Sequence, residues 1–325
     1  MTMKKMFTVV GLAILLASCS TNTSYEKTKS GLAYKIIKGK GGAKLKFGDF
    51  VKIMGSIKIA PRDSFLFTTS KMAEYLPVDT SSRLSHDFNE VLKLCSVGDS
   101  IITVAQVDTL VKRGQANYEG FFKRGDQIVT ALRIVKAFAG KDEVMKDQQM
   151  EMEKVKVSEV SELQDELNKK GIKTEKTENG VFVETLKAGD TAKVQNGKLV
   201  TVNYTGSLME NGKKFDSNTD TAFHHIAPFA FVVGAGQTIK GWEEGILKMG
   251  VGGKANLYVP SMLGYGPQGS APMIPRFAAL KFEVEVVKME DAPAPPKNAR
   301  PMPQQGSNPQ QNPQQQPENQ TPKSH

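Results

Sequence analysis

At 325 residues the chain is too long for one ordinary domain, and its 39% apolar content is enough for more than one hydrophobic core. The formal net charge of +9, from 43 basic and 34 acidic residues, is spread over scattered lysines with no clustered stripe and reads as a solvated face. Two cysteines in a chain of this length exclude a disulfide framework as the basis of the fold.

Lys4 and Lys5 precede an apolar run at residues 6–16 that is too short to span a bilayer, which predicts a secretory signal peptide over residues 1–18. The run ends in Leu16-Ala17-Ser18-Cys19, which resembles the lipobox of bacterial lipoproteins. That resemblance implies cleavage before Cys19, lipid on its sulfur and attachment of the exported protein to a membrane. A plain signal peptide beside a chance cysteine is the alternative. Ser20 follows the cysteine where Asp would signal retention, which by the sorting pattern of such lipoproteins implies, for a Gram-negative source, the periplasmic face of the outer membrane. For an exported protein no nucleic-acid partner is expected. Cys95 is then left without an internal partner and reads as a small buried apolar residue. Residues 19–29 are small and polar, a tether. Residues 25–140 hold 19 basic and 11 acidic residues, so the basic surplus belongs to the first domain.

A faint internal repeat follows. Ser30-Gly31-Leu32-Ala33-Tyr34 parallels Asn179-Gly180-Val181-Phe182-Val183, and Gly48-Asp49-Phe50-Val51 parallels Gly197-Lys198-Leu199-Val200, at an offset of 149. Phe88-Asn89-Glu90-Val91-Leu92 parallels Trp242-Glu243-Glu244-Gly245-Ile246 at 154, a change that a small loop insertion produces. Two unrelated β-rich domains sharing common Gly and Val patterns remain the alternative. Period-two alternation at Val51 and Ile53, at Val200, Val202 and Tyr204, and at Phe282, Val284 and Val286 predicts strands. A short helix is predicted from Trp242 to Met249, closed by Gly250. Strands with one brief helix in each half argue for an α+β fold, an antiparallel sheet curled on a helix.

Between the halves, residues 141–170 contain no Gly or Pro and predict a linker helix, with Gly171 as its stop. Its weak stripe of Met145, Met152, Val160, Leu163 and Leu167 packs on the chain's own domain or, in a second reading, forms a homodimer. The first domain then covers 30–140 and the second 171–290. Residues 291–325 are rich in Pro, Gln and Asn and too poor in apolar residues to offset their ordering entropy.

The second half carries the chemistry. Asn203-Tyr204-Thr205-Gly206, Lys214-Phe215-Asp216-Ser217, Gln237-Thr238-Ile239-Lys240-Gly241-Trp242, Leu263-Gly264-Tyr265-Gly266 and Met273-Ile274-Pro275 occur in one order. There is no nucleophile, metal-ligand set or phosphate cradle among them, and no cofactor or metal is expected. Adjacent His224 and His225 lack the further ligands that a closed metal site needs and read as loop residues. Glu243 and Glu244 point apart on a helix and read as solvated charge.

Taken together the motifs resemble the FKBP family of peptidyl-prolyl isomerases, well over residues 171–290 and weakly over the earlier stretch. The resemblance implies two FKBP-like domains and a substrate pocket floored by Trp242. Its walls are Tyr204, Phe215, Phe229, Ile239, Ile274 and Phe282, with Thr238 where a small branched apolar residue is usual. Asp216, oriented by Tyr204, would act electrostatically on the rotating carbonyl. The backbone N–H of Ile239 and the phenol of Tyr265 would donate hydrogen bonds to substrate carbonyls. Two departures stand out: Arg276-Phe277 in the rim loop, and no Arg in the segment 220–225 to pair with Asp216, which is therefore expected to be less tightly held. In the first half Gly55 stands at the place of Tyr204, Phe88 at that of Trp242 and Val111 at that of Tyr265, so that half is expected to bind or position and not to catalyse. The implied partners are proline-containing unfolded or nascent exported polypeptides, with a non-catalytic holdase or assembly factor as the competing reading.

Overall fold

In the computed structural model, which describes residues 24–69, 71–79 and 86–293, the period-two runs form strands. The signal peptide, Cys19 and the tail beyond residue 293 lie outside the described residues. The chain divides into two units between Val144 and Met145.

The first unit contains β1 (Glu26–Lys27), β2 (Ala33–Ile37), β3 (Phe50–Ala60), β4 (Ser64–Thr68), β5 (Glu74–Pro77), α1 (Asn89–Leu92), β6 (Ser100–Gln106), α2 (Val107–Lys112) and β7 (Gln127–Phe138). All strands pair antiparallel in the order β1-β2-β6-β7-β3-β4, and β5 lies beside β4 on the same edge of β3. The inward residues Val51, Ile53, Ile101 and Ile134 meet Val91 and Leu92 of α1 in one core. Cys95 is fully buried in that core, its thiol donates to the Val91 carbonyl, and burial pushes its pKa up to about 11. A thiol so held is a packing residue and a poor nucleophile.

The second unit begins within the long helix α3 (Lys141–Lys169) and continues through β8 (Glu175–Lys176), β9 (Phe182–Lys187), β10 (Lys198–Leu208), β11 (Lys214–Ser217), β12 (Phe229–Val232), α4 (Lys240–Ile246), β13 (Lys254–Val259) and β14 (Leu280–Asp291). Its sheet order, β8-β9-β13-β14-β10-β11 with β12 beside β11 on β10, is that of the first unit strand for strand. The agreement reaches irregular features. The β3/β7 and β10/β14 ladders both slip, between Lys52 and Ile53 in one and Thr201 and Val202 in the other, leaving Val135 and Val287 unpaired and exposed. Such a bulge bends a long strand and lets a sheet curl over its helix. Both units also share a turn in which a threonine hydroxyl accepts from the backbone four residues on, Thr28 from the Leu32 N–H at 3.2 Å and Thr177 from the Val181 N–H at 3.0 Å; in the second unit Thr177 and Asn179 also donate to Glu244 at 2.9 and 2.8 Å. Glu244 is thus structural and not simply solvated charge.

Equivalent residues locate the changes of offset. The pairs Gly55–Thr69 and Tyr204–Asn218 make the same two hydrogen bonds at an offset of 149, whereas Pro77 and Val232 are equivalent in register at 155. The loop before β12 is therefore six residues longer in the second unit, and later loops return the offset to 154 at β6/β13 and 152 at β7/β14. One insertion does not account for the whole difference.

Helix α3 ends as expected, with Gly171 at φ 68°. Its buried row differs from the expected stripe. Met145 is exposed, and the row runs Val155, Glu159, Leu163, Leu167 at strict four-residue spacing, with Val160 beside it. Leu163 and Leu167 pack with Phe182 and Tyr258, so the second half of the helix is part of the second unit's core.

Helix α4 is shorter than the expected span and sits close on β13. A Cβ at Gly241 would fall 2.3 Å from Val259 Cγ1, and one at Gly245 2.9 Å from Leu257 Cδ1. Gly241→Ala is expected to cost about 1–3 kcal/mol by forcing the helix off the sheet. Urea unfolding followed by the fluorescence of Trp242, the single tryptophan of the chain, reads this unit alone; an unchanged midpoint would show that the close seating is not required.

Candidate functional site

The contact of α4 with β13 fixes where Trp242 lies. The residue is only 4% exposed, and four rings surround it: Tyr204 at 5.0 Å and Phe282 at 5.3 Å, both edge-on, with Phe231 at 5.9 Å and Phe229 at 6.2 Å. Edge-to-face pairs of this kind contribute about 0.5–1.5 kcal/mol each beyond burial, so the indole is a fixed surface. Phe215 lies edge-on to Phe282 at 5.6 Å, across Gly206. A Cβ at Gly206 would stand 2.7 Å from the Phe215 ring and 2.8 Å from the Phe282 ring, which explains the glycine of the Asn203-Tyr204-Thr205-Gly206 motif.

Around the indole the structure brings together Tyr204, Phe215, Ile239, Tyr265, Ile274 and Phe282 in a single apolar cluster. Ile274 and Phe282 are buried, whereas Tyr204, Phe215, Ile239 and Tyr265 are half-buried and Phe229 is exposed. The indole floor is therefore almost covered, and the exposure around it belongs to Tyr204, Phe215, Ile239, Tyr265 and Phe229. The indole N–H and the Thr238 hydroxyl are buried without a hydrogen-bond partner among the described residues.

Asp216 stands at the rim on β11. The Tyr204 hydroxyl donates to its Oδ2 at 2.6 Å, and His225 Nε2 lies 2.8 Å from its Oδ1. The expectation of a loosely held carboxylate is therefore corrected: a histidine fills the place where an arginine was sought, and both carboxylate oxygens are engaged. His225 sits on the loop that is six residues longer than in the first unit. That loop is anchored by Asn218, which is nearly fully buried, accepts from the Tyr204 N–H at 2.7 Å and donates to the carbonyls of Val202 and Ala227. Neither His225 nor Asn218 was found by motif reasoning. The only signal was adjacency, since Asn218 directly follows Lys214-Phe215-Asp216-Ser217.

Two donors remain uncommitted. The Ile239 N–H precedes α4, where it has no intrahelical acceptor, and no described residue accepts from it. The Tyr265 hydroxyl likewise has no partner among the described residues. Burial raises the pKa of Tyr265, with the Asp216 charge adding to it. Burial and the hydrogen bond to Asp216 raise that of Tyr204 well above the usual phenol value. A raised phenol pKa keeps the proton on throughout the neutral range, so Tyr265 is a standing donor and Tyr204 a standing clamp.

The rim loop that departs from the family pattern is pinned. Arg276 Nε donates to the Pro267 carbonyl at 2.7 Å, and the N–H of Phe277, held at φ 57°, donates to Gly266. Glu243 closes the neighbouring loop by accepting from the Gly236 N–H. In the first unit the equivalent positions cannot build such a site. A Cβ at Gly55 would fall 2.0 Å from the Ala131 carbonyl oxygen, and Phe67 occupies the register position of Asp216.

Residues 190–287 match the family described as FKBP-type peptidyl-prolyl cis-trans isomerase. FK506-binding protein 1 of Candida glabrata is 45% identical over 117 residues, 36% of this chain and 98% of that protein. The FK506-binding protein of Neisseria meningitidis serogroup B is 46% identical over 110 residues, 34% of this chain and 96% of that protein. The crystal structure of FkpA from Escherichia coli is 28% identical with a TM-score of 0.36, covering 47% of this chain and 68% of that one.

The His225–Asp216 pair is half exposed, which limits its worth to about 1 kcal/mol. His225→Ala is expected to lower kcat/KM for proline isomerisation by less than about sixfold. A loss of a hundredfold or more would mean that His225 contacts substrate itself.

Proposed function

Because the chain belongs to the FKBP-type peptidyl-prolyl cis-trans isomerase family, through a match to nearly the whole length of the Candida glabrata and Neisseria meningitidis relatives, we propose that the Trp242 enclosure is where it turns the prolyl bond. Rotation about that bond is opposed by amide resonance, a barrier of about 18–20 kcal/mol, and uncatalysed exchange takes tens to hundreds of seconds. No bond is made or broken. What lowers the barrier is a dry surface that grips the pyrrolidine ring while the preceding carbonyl leaves the amide plane, each 1.4 kcal/mol giving about a tenfold rate increase.

The observation that carries this reading is the pairing of two uncommitted donors, Ile239 N–H and Tyr265 O–H, with a carboxylate whose both oxygens are already held. The proline ring would rest against the half-buried Tyr204, Phe215 and Ile239 beside the covered indole. Ile239 N–H and Tyr265 O–H would hold flanking carbonyls, and Asp216, with a partner on each oxygen, would face the turning carbonyl as an oriented charge. Fixed dipoles of this kind require no reorganisation during the reaction. In the full chain, Asp216→Asn is expected to lower kcat/KM on a short proline peptide about tenfold or more, with binding, followed by quenching of Trp242 fluorescence, within about threefold. Binding lost in parallel with turnover would instead favour a holdase that grips prolines, the second reading. Absence of turnover in the unaltered chain would contradict the enzyme reading directly.

The clients and the location are further parts of the proposal. Lys4, Lys5 and the Leu16-Ala17-Ser18-Cys19 motif support export, lipidation at Cys19 and a periplasmic place on the outer membrane, where unfolded exported polypeptides supply prolines. The first unit, which keeps the fold without the site, would bind or position those clients. Mass analysis of the mature N-terminus is expected to show a lipid-modified Cys19; an unmodified cysteine, or cleavage elsewhere, would remove the membrane anchor from this account.

A further inference from the structure

Glu159 is out of place by its surroundings. It lies on α3 in the row Val155, Glu159, Leu163, Leu167, is 5% exposed, and faces the core of the second unit with a carboxylate. A buried carboxylate is unfavourable unless hydrogen-bonded. Glu159 is: the Ser261 hydroxyl lies 2.8 and 2.7 Å from its two oxygens, and the Met262 N–H approaches at 3.4 Å. Ser261 itself is fully buried.

Ser261 is the residue on which the turn that carries Tyr265 closes. Its carbonyl accepts from the N–H of Gly264 at 2.9 Å and of Gly266 at 2.8 Å, bracketing Tyr265 on both sides. From there the turn is tied onward to the rim loop, by Gly269 N–H to the Tyr265 carbonyl and Phe277 N–H to the Gly266 carbonyl. The Tyr265 hydroxyl has no hydrogen bond of its own among the described residues, so the backbone of this turn and the packing of the ring decide where it stands. The first unit offers an internal comparison. At the same offset Val107 replaces Ser261 and Val111 replaces Tyr265, so the hydroxyl that meets Glu159 and the phenol that it would serve are absent together.

Resting on the reading of this fold as an isomerase, we propose that Glu159 is a positioning residue for the prolyl isomerase reaction: through Ser261 it fixes the turn that aims the Tyr265 phenol at the substrate carbonyl. The helix ahead of the isomerase fold is then part of the working unit and not merely a connector. A displacement of about 1 Å in a group that must meet a transition state can cost up to a hundredfold in rate, so a remote brace has leverage on turnover.

The experiment is a double-mutant cycle in the full-length protein, with kcat and KM measured on a short proline peptide. Ser261→Ala and Glu159→Ala are expected to lower kcat by about fivefold or more with KM within about twofold, and Glu159→Gln, which keeps an acceptor, to recover most of the rate. In a Tyr265→Phe background the loss from Ser261→Ala should shrink below about twofold, because the phenol that it aims is gone. If Glu159→Ala does not fold, the Ser261→Ala cycle decides. Turnover in the unaltered chain with fully additive losses, or unchanged kcat in Ser261→Ala and Glu159→Ala, overturns the positioning role and leaves the isomerase reading intact. A full chain that does not turn over the peptide overturns both.

Discussion

The seating of α4 on β13 is the constraint on which the site depends. Two glycines four residues apart, Gly241 and Gly245, let the helix backbone approach Val259 and Leu257 more closely than any side chain would permit. The next residue after Gly241 is Trp242, and that approach places its indole under the rings of Tyr204, Phe229, Phe231 and Phe282. A flexible or shallower helix would leave those rings without a common floor. The same seating leaves the Ile239 N–H at the start of the helix without an acceptor among the described residues, so one structural decision supplies both the apolar surface and a donor beside it.

Charge is arranged around that floor with little freedom. Asp216 is held by a phenol on one oxygen and an imidazole on the other, while the Tyr265 hydroxyl, with its proton retained by burial, has no partner among the described residues. The internal repeat shows how separable fold and site are. Strand order, the long-strand bulge and the threonine-held turn persist in both units. Replacing Tyr204 by Gly55, Asp216 by Phe67 and Tyr265 by Val111, and shortening one loop by six residues, removes the site and leaves the strand order unaltered.

Much of this was legible in the sequence because it is periodic or local. Alternation marked β3, β10 and β14, paired segments exposed the repeat, and five motifs in one order brought the aromatic residues together. What escaped detection was neither periodic nor local. His225 acts from a loop whose path no pattern encodes, and two adjacent histidines suggested only a poor metal site. Glu243 and Glu244 looked solvated because their acceptor roles face Gly236 on one side and Thr177 and Asn179 on the other. Along α3 an apolar search favoured Met145, which is exposed, and passed over Glu159, because a charged residue in a buried row becomes intelligible only once its partner, 102 residues later in sequence, is known.

The indole N–H of Trp242 gives the most direct test, since the chain has one tryptophan and that group has no partner among the described residues. In a nitrogen–proton correlation spectrum of the full-length protein it is a single resonance. Titration with a short proline peptide is expected to shift it progressively, while the same peptide with alanine in place of proline leaves it where it was. A resonance that stays fixed while the protein measurably accelerates exchange of the proline peptide would place the reaction elsewhere.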